Sequence, residues 1–124
     1  MTLLHIGILY TSLVVFGVSL LLPGLIEIGK ADPGAPGILA TSVAGRNQLR
    51  ALHGMMVGIG IMALWACVNL EQSRILVLAL GIIVLVAALA RLYSMAVDGI
   101  PSTMTLAYLF VELLFGGVFL LMSP

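Results

Sequence analysis

Charged residues are scarce in this chain. Only 8% of its 124 residues are Asp, Glu, Lys or Arg, whereas an ordinary soluble domain is about one quarter charged. Five basic and five acidic residues cancel, and no basic run would attract nucleic acid. So small a protein has too much surface to cover with so few charges in water. The composition therefore excludes an ordinary soluble domain and gives no sign of a nucleic-acid partner.

Cysteine is almost absent as well. The single thiol, Cys67, lies in an apolar segment, has no partner for an internal disulfide and matches no metal-ligand spacing. We interpret it as core filler. The chain also lacks a metal triad, an evident nucleophile–base pair and a nucleotide motif. We therefore expect no cofactor, no metal site and no catalytic residue, although an enzyme is not excluded.

Apolar residues make up 62% of the chain and fall in four long runs. A membrane-spanning helix needs about 20 mostly apolar residues. The runs are continuous rather than alternating, which favours helices over barrel strands. The predicted spans are about 3–22, 52–70, 75–92 and 104–122. The sequence thus predicts an all-α integral membrane four-helix bundle in one domain, residues 1–124.

The three connections differ in length. Only residues 71–74 separate the second and third spans, which predicts an antiparallel hairpin. Residues 98–102 form a short turn before the fourth span, with Pro101 suited to a first helical turn. The first loop, from about residue 23 to 49, is the long one. Within it, Ser42 is a candidate N-cap for a second helix that extends outward.

Four crossings place both ends of the chain on one face, which we call side A, and the long first loop on the other, side B. The first span lacks a positive n-region and a following A-x-A site, so we expect it to remain uncleaved. Positive residues are more frequent on side B, which the positive-inside rule would assign to the cytoplasm. If Arg50 and Arg91 are buried functional residues and are not counted, the excess of positive residues on side B becomes small. The orientation therefore stays open.

Ionisable residues gather toward side B. Arg46, Arg50 and His53 are spaced i, i+4 and i+7, which places them on one face of a helix. Later spans bring further ionisable residues to the same half of the bilayer. The predicted polar cluster, and candidate ligand site, consists of Arg46, Arg50, His53, Arg91, Asp98 and Glu112.

Glu112 is the member of this cluster that most needs a partner. It lies roughly 12–15 Å along the fourth span at 1.5 Å per residue, close to mid-bilayer. An acidic group there costs about 2.5–3.5 kcal/mol on insertion scales. It should therefore face the bundle interior and either remain protonated or meet a cation. Arg91 is the first candidate for that cation and His53 the second.

Two interpretations of the cluster stay open. A buried Glu–Arg pair can be purely structural and fix helix register, while Arg46 and Arg50 can meet lipid phosphates. Alternatively, the cluster lines a polar pocket open to side B, which would suit an anionic headgroup or a small acid. Intramembrane ionisable residues often mark such functional sites.

Two glycines in the second span, Gly54 and Gly58, have the small-residue spacing that allows close helix contact. Such a pair serves internal packing in the same chain or dimerisation with a second copy. Internal packing is the more common use in a four-span protein. A homodimer through these glycines is the alternative.

The same residues carry a resemblance. Arg50-x-x-His53-Gly54, Arg91-Leu92-Tyr93-Ser94, the 98–102 turn and Glu112 resemble a family of small bacterial four-span proteins catalogued as domain of unknown function four-three-four-five. The first span and the glycine-rich loop match it only in general character. The resemblance implies a four-helix membrane fold and a bacterial inner membrane. It implies no particular reaction or ligand.

These observations favour a non-catalytic membrane protein. We expect it to bind a lipid or another amphipathic ligand in the side-B pocket, or to act as an accessory subunit of a larger membrane complex. The alternative is a small membrane enzyme or proton-coupled transporter that uses Glu112, His53 and Arg91.

Overall fold

Four helices make up most of the chain. The computed structural model describes residues 1–124. The helices are α1 (Leu3–Gly29), α2 (Val43–Val68), α3 (Arg74–Asp98) and α4 (Thr103–Leu121). Each is long and apolar enough to cross a membrane. The predicted all-α four-helix membrane bundle is confirmed.

Two short elements complete the fold. The first loop contains a two-stranded antiparallel hairpin, β1 (Gly34–Ala35) and β2 (Ile38–Leu39), in which Gly34 pairs with Leu39. The connection between α2 and α3 is a single 3-10 turn, Leu70–Gln72. Contacts are concentrated between α1 and α2 and between α3 and α4, so the chain forms two helical hairpins, α1–α2 and α3–α4. The short turn between α2 and α3 joins the two hairpins, and these two helices contact each other far less.

The first loop is shorter than the sequence suggested, because α1 and α2 both extend into it. Helix α1 continues through Pro23 to Gly29. A proline removes one backbone hydrogen bond, which membrane helices tolerate where neighbouring groups compensate. Helix α2 begins after Ser42, whose Oγ accepts from the backbone N–H of Gly45 at 3.0 Å. Ser42 is therefore the N-cap that the sequence indicated.

Helix α3 likewise passes beyond its predicted span and ends at Asp98. Gly99 follows with φ +100°, a conformation that glycine adopts without steric cost. Ser102 then caps α4 through its side chain, with Pro101 just before the helix. The turn between α3 and α4 is thus built from the residue types that turns favour.

Glycines set the distance between paired helices. A Cβ atom added at Gly60 of α2 would lie 2.8 Å from the carbonyl oxygen of Gly17 in α1. In the other hairpin, a Cβ at Gly116 of α4 would lie 2.6 Å from the Leu85 side chain of α3. Each helix therefore approaches its partner as closely as the missing side chains allow.

The two hairpins meet in an apolar core in the side-A half of the bundle. Phe16 of α1 and Phe119 of α4 pack edge to face, with ring centroids 5.2 Å apart. Contacts between the hairpins are otherwise far fewer than contacts within them. The buried core residues are Leu9, Leu13, Phe16, Ala63, Ala66, Cys67, Val77, Leu80, Val84 and Phe119. The polar residues occupy the opposite, side-B half.

Candidate functional site

The predicted polar cluster separates into two groups in the structure. One belongs to the α1–α2 hairpin and its loop and contains Arg50 and His53. The other belongs to the α3–α4 hairpin and contains Arg91 and Glu112. No hydrogen bond or ion pair joins the two groups directly.

Arg50 is bound entirely by backbone oxygens at the end of α1. Its Nε donates to the carbonyl of Ile28 at 3.3 Å, and its Nη2 donates to the carbonyls of Lys30 and Ala31 at 2.9 and 3.2 Å. Carbonyls at a helix C-terminus lack partners within the helix and carry partial negative charge. Arg50 therefore caps α1 and fixes the start of the first loop, so three of its donor bonds are already taken.

His53 holds the next part of this loop. It is 4% exposed, and its Nε2 lies 2.7 Å from the carbonyl oxygen of Gly34. A carbonyl only accepts, so Nε2 carries the proton and donates. In the neutral ring, Nδ1 is then an acceptor. This Nδ1 is buried and has no hydrogen-bond partner in the chain.

Glu27 binds the other side of the same glycine. Its Oε2 accepts from the backbone N–H of Gly34 at 2.9 Å, and its other carboxylate oxygen pairs with the Lys30 ammonium. Gly34 is thus held from α1 by Glu27 and from α2 by His53. The loop has a defined position over the side-B ends of both helices.

A cavity of about 460 Å³ lies beside this anchored loop. Its wall combines loop, α1 and α2 residues with Tyr108 of α4, so it reaches from one hairpin to the other. Its lining residues are Pro23, Glu27, Lys30, Asp32, Gly34, Ala35, Pro36, His53, Met56 and Tyr108. The volume is in the range of small-molecule sites.

Two other cavities, one of similar size and one larger, are lined by fewer polar groups that could orient a ligand. One, of about 470 Å³, lies on α1 alone between Leu3 and Ser12. The other, of about 610 Å³, lies at side A and includes Met1 and Pro124. No polar side chain that lines either recess is buried, whereas His53 is buried in the wall of the side-B cavity. The side-B cavity is therefore the candidate site.

Arg91 and Glu112 form an ion pair between α3 and α4. Arg91 Nε donates to Glu112 Oε2 at 2.8 Å. Glu112 is the central residue of α4, with nine helical residues on each side. The arginine that the sequence suggested as first partner does meet this carboxylate. The pair keeps a mid-membrane charge compensated.

Tyr108 connects the ion pair to the cavity. It lies one helical turn before Glu112, and the Arg91 guanidinium carbon is 5.7 Å from the centre of its ring, within cation–π distance. Tyr108 also lines the cavity that His53 lines. Tyr108 therefore contacts Arg91 of the ion pair and also lines the cavity, which neither Arg91 nor Glu112 lines.

The remaining predicted members lie apart from both groups. Asp98 is exposed and accepts from the Ser94 hydroxyl at 2.8 Å. Arg91 and Asp98 both belong to α3, but no ion pair joins them. Arg46 is half-buried on the first turns of α2 and takes part in neither ion pair. The predicted cluster is therefore brought together only in part.

Gly54 and Gly58 do not serve internal packing, contrary to the more common use expected for them. A Cβ added at either would meet nothing within 4 Å. The close α1–α2 contact uses Gly17, Gly24 and Gly60 instead. The homodimer through Gly54 and Gly58 stays a prediction.

Sequence reasoning missed the two acidic residues near the loop, Glu27 and Asp32, and did not place Tyr108 in the site. Glu27 was missed because the predicted first span ends before Pro23, whereas α1 continues through this proline. The spacing of Glu27 and Lys30, i and i+3, was the available signal that the helix continues, because such pairs are adjacent on a helix surface.

The family model described as Domain of unknown function (DUF4345) matches residues 1–123. That match covers nearly the whole chain, so the protein belongs to this family, as its motif residues indicated. No curated protein and no solved structure matches the chain. The family description assigns no activity, so function has to be argued from the geometry of the site.

Proposed function

We propose that this member of the DUF4345 family is a non-catalytic multi-pass protein of a bacterial inner membrane. It binds a lipid or another amphipathic ligand in the side-B cavity. The observation that carries the proposal is the composition of the cavity wall: a buried histidine and charged loop residues at one end, and Pro23, Met56 and the Tyr108 ring beside them.

The wall matches an amphiphile for a physical reason. An apolar ligand would leave the buried His53 Nδ1 without a partner, which is unfavourable in a low-dielectric site. A fully polar ligand would gain nothing from the proline, methionine and tyrosine surfaces. A molecule with a polar head and an apolar chain satisfies both parts of the wall.

The position of the cavity also supports a ligand that comes from the bilayer. The hairpins contact one another mainly in the side-A core, and their contacts elsewhere are few. An acyl chain can therefore reach the cavity from the lipid phase between α4 and the α1–α2 hairpin. The headgroup would remain at the loop, near the membrane surface.

The experiment is native mass spectrometry of the protein released from nanodiscs of mixed phospholipids. We expect one lipid retained per chain. Met56→Trp, which fills the cavity, should reduce retention several-fold. Met55→Trp is the matched control, because Met55 is the neighbouring residue and is 66% exposed on the outer surface. Equal retention in both variants and the parent protein would overturn the proposal.

A second candidate is an accessory subunit, or a homodimer, that docks through α2. It is supported by the open space at Gly54 and Gly58, where a helix from another chain can approach closely. Gly58→Leu should then reduce co-purification of a stoichiometric partner, while Gly117→Leu, at another open position on α4, should not. An unchanged complex in Gly58→Leu would exclude this interface.

The alternative of a membrane enzyme or proton-coupled transporter depends on Glu112, His53 and Arg91. It is supported by Tyr108, which lines the same cavity as His53 and lies within cation–π distance of Arg91. Under this alternative, Glu112→Gln abolishes proton movement in liposomes while the protein still folds. Under the binding proposal, proton movement in the parent protein does not exceed that in liposomes without protein.

A further inference from the structure

An anionic ligand needs free cationic groups, and the side-B cavity offers few of them. Arg50 is bound to three carbonyls and Arg91 to Glu112, and neither arginine lines the cavity. Two carboxylates line it, Glu27 and Asp32, against a single ammonium, Lys30. The lining residues other than His53 therefore carry a net negative charge, which disfavours an anionic headgroup or a small acid.

Most of these charges are already paired. Glu27 accepts from both Lys30 and the Gly34 N–H, so the ammonium and this carboxylate satisfy each other. Asp32 is exposed and takes part in neither ion pair of the chain. The carboxylate of Asp32 is therefore the charge that remains available to a ligand.

The buried histidine independently points to the same kind of ligand. His53 lines the cavity and is 4% exposed, and its Nε2 proton is used by the Gly34 carbonyl. Its neutral Nδ1 has no partner and can only accept. The two unused polar groups, the Asp32 carboxylate on the wall and the buried Nδ1 of the wall residue His53, are acceptors when the ring is neutral, and both lack a donor.

We infer that the cavity recognises a headgroup that carries a protonated primary amine, with Asp32 as its counter-ion and His53 Nδ1 as a second acceptor. A primary ammonium supplies both the positive charge and several N–H donors. A hydroxyl supplies a donor without the charge, and a quaternary ammonium supplies the charge without a donor. The inference rests on the proposed function, since it specifies which amphiphile the cavity binds.

The two acceptors differ in access. Asp32 is exposed and can meet an ammonium without rearrangement, whereas the buried Nδ1 requires a local shift of the cavity wall. Asp32 should therefore contribute first, and its loss should be the clearest test. Asn has nearly the same shape as Asp. Because Asp32 is exposed on the loop, Asp32→Asn is not expected to affect folding.

The experiment compares phosphatidylethanolamine with phosphatidylcholine, which differ only in methylation of the amine. Nanodiscs contain equal amounts of these two lipids and phosphatidylglycerol with the same acyl chains. Lipids retained by the protein are counted by native mass spectrometry. We expect phosphatidylethanolamine to be retained about threefold to fivefold over phosphatidylcholine, as for one hydrogen bond that the choline group cannot donate, and phosphatidylglycerol to be retained least.

Two variants assign the preference to the cavity. Asp32→Asn should bring the ratio close to one, whereas Glu71→Gln, a carboxylate change at side A, should leave it unchanged. His53→Gln keeps a donor for the Gly34 carbonyl but replaces the ring acceptor Nδ1 with an amide oxygen in a different position, so it should lower the ratio as well. If His53→Gln does not fold, the Asp32→Asn result alone decides.

The outcomes separate this inference from the proposed function. Equal retention of the ethanolamine and choline lipids, a preference for phosphatidylglycerol, or an unchanged ratio in Asp32→Asn would overturn the inference. In each of those cases, lipid lost on Met56→Trp would still support a lipid-binding cavity. No lipid loss on Met56→Trp would overturn the proposed function together with the inference.

Discussion

The two helical hairpins each contain an arginine in the side-B half of the bundle, and they satisfy it differently. In α1–α2, Arg50 donates only to backbone carbonyls at the end of α1. In α3–α4, Arg91 pairs with the carboxylate of Glu112. Arg50 therefore holds the first loop without needing a charged partner. Arg91 and Glu112 each need the opposite charge of the other.

The hairpins also differ in what brings their helices together. In α1–α2, glycines place backbone against backbone, since a Cβ at Gly60 would collide with the Gly17 carbonyl. In α3–α4, the closest approach is between Gly116 and the Leu85 side chain. A leucine side chain can shift to a new rotamer, but a backbone oxygen moves only with its helix. The α1–α2 hairpin should therefore be the less adaptable one.

The largest expected effect comes from breaking the Arg91–Glu112 pair from one side. Arg91→Met leaves the Glu112 charge without its partner at the middle of α4, and removal of one member of a buried pair costs about 3–5 kcal/mol. Because Arg91 is 37% exposed, we expect about 3 kcal/mol. The measurement is the free energy of unfolding from SDS titration in mixed micelles.

The double variant Arg91→Met with Glu112→Gln is the control for that loss. It removes both charges, so it should recover most of the lost stability. Recovery would show that the pair acts mainly by compensating charge. A double variant as unstable as Arg91→Met would instead mean that Arg91 contributes chiefly through packing against Tyr108.

The next largest effect tests the glycine contact of α1 with α2. Gly60→Ala adds a Cβ that would lie 2.8 Å from the Gly17 carbonyl oxygen, so the helices must separate. We expect a loss of about 2 kcal/mol in the free energy of unfolding, as for overpacking of a tight interface. The same SDS titration measures it.

Gly58→Ala is the matched control on the same helix, since its Cβ would meet nothing within 4 Å. It should leave stability unchanged or raise it by up to about 1 kcal/mol, because alanine has the higher helix propensity. Equal losses of unfolding free energy in Gly60→Ala and Gly58→Ala would mean that the close backbone contact at Gly60 does not stabilise the α1–α2 hairpin.

A smaller, local effect is expected at Arg50. Arg50→Lys keeps the charge but loses the planar fork that reaches three carbonyls. The first loop should open more often, and the Gly34 amide should exchange hydrogen about tenfold faster, as for about 1.4 kcal/mol of local stability. Amides in the α3–α4 turn serve as the internal reference, and equal acceleration there would contradict a local role for Arg50.

The fold could be predicted from the sequence because lipid leaves few alternatives. Long uncharged runs must satisfy their backbone groups internally, which requires helices. The Arg91–Glu112 pair could be predicted for a similar reason, since a central carboxylate needs a cation on a neighbouring helix. Both conclusions follow from the cost of polar groups in hydrocarbon.

The loop site could not be predicted in the same way. Arg50 and His53 are bound by backbone carbonyls of residues 28–34, and every residue type carries a carbonyl. No side-chain pattern identifies such partners in advance. The wrong expectation of internal packing at Gly54 and Gly58 has a related cause, because small-residue spacing does not reveal which face of the helix meets a neighbour.

The smallest expected effect concerns Asp98, which belonged to the predicted cluster and lies outside both polar groups. Asp98 is exposed and bonded to Ser94 on its own helix, so Asp98→Asn should change the free energy of unfolding by less than about 0.5 kcal/mol. Arg91 pairs with Glu112 on the neighbouring helix and not with Asp98, which lies seven residues further along its own helix. A loss in Asp98→Asn comparable to that in Arg91→Met would mean that the side-B charges act as one network, and the difference between the two arginines would no longer hold.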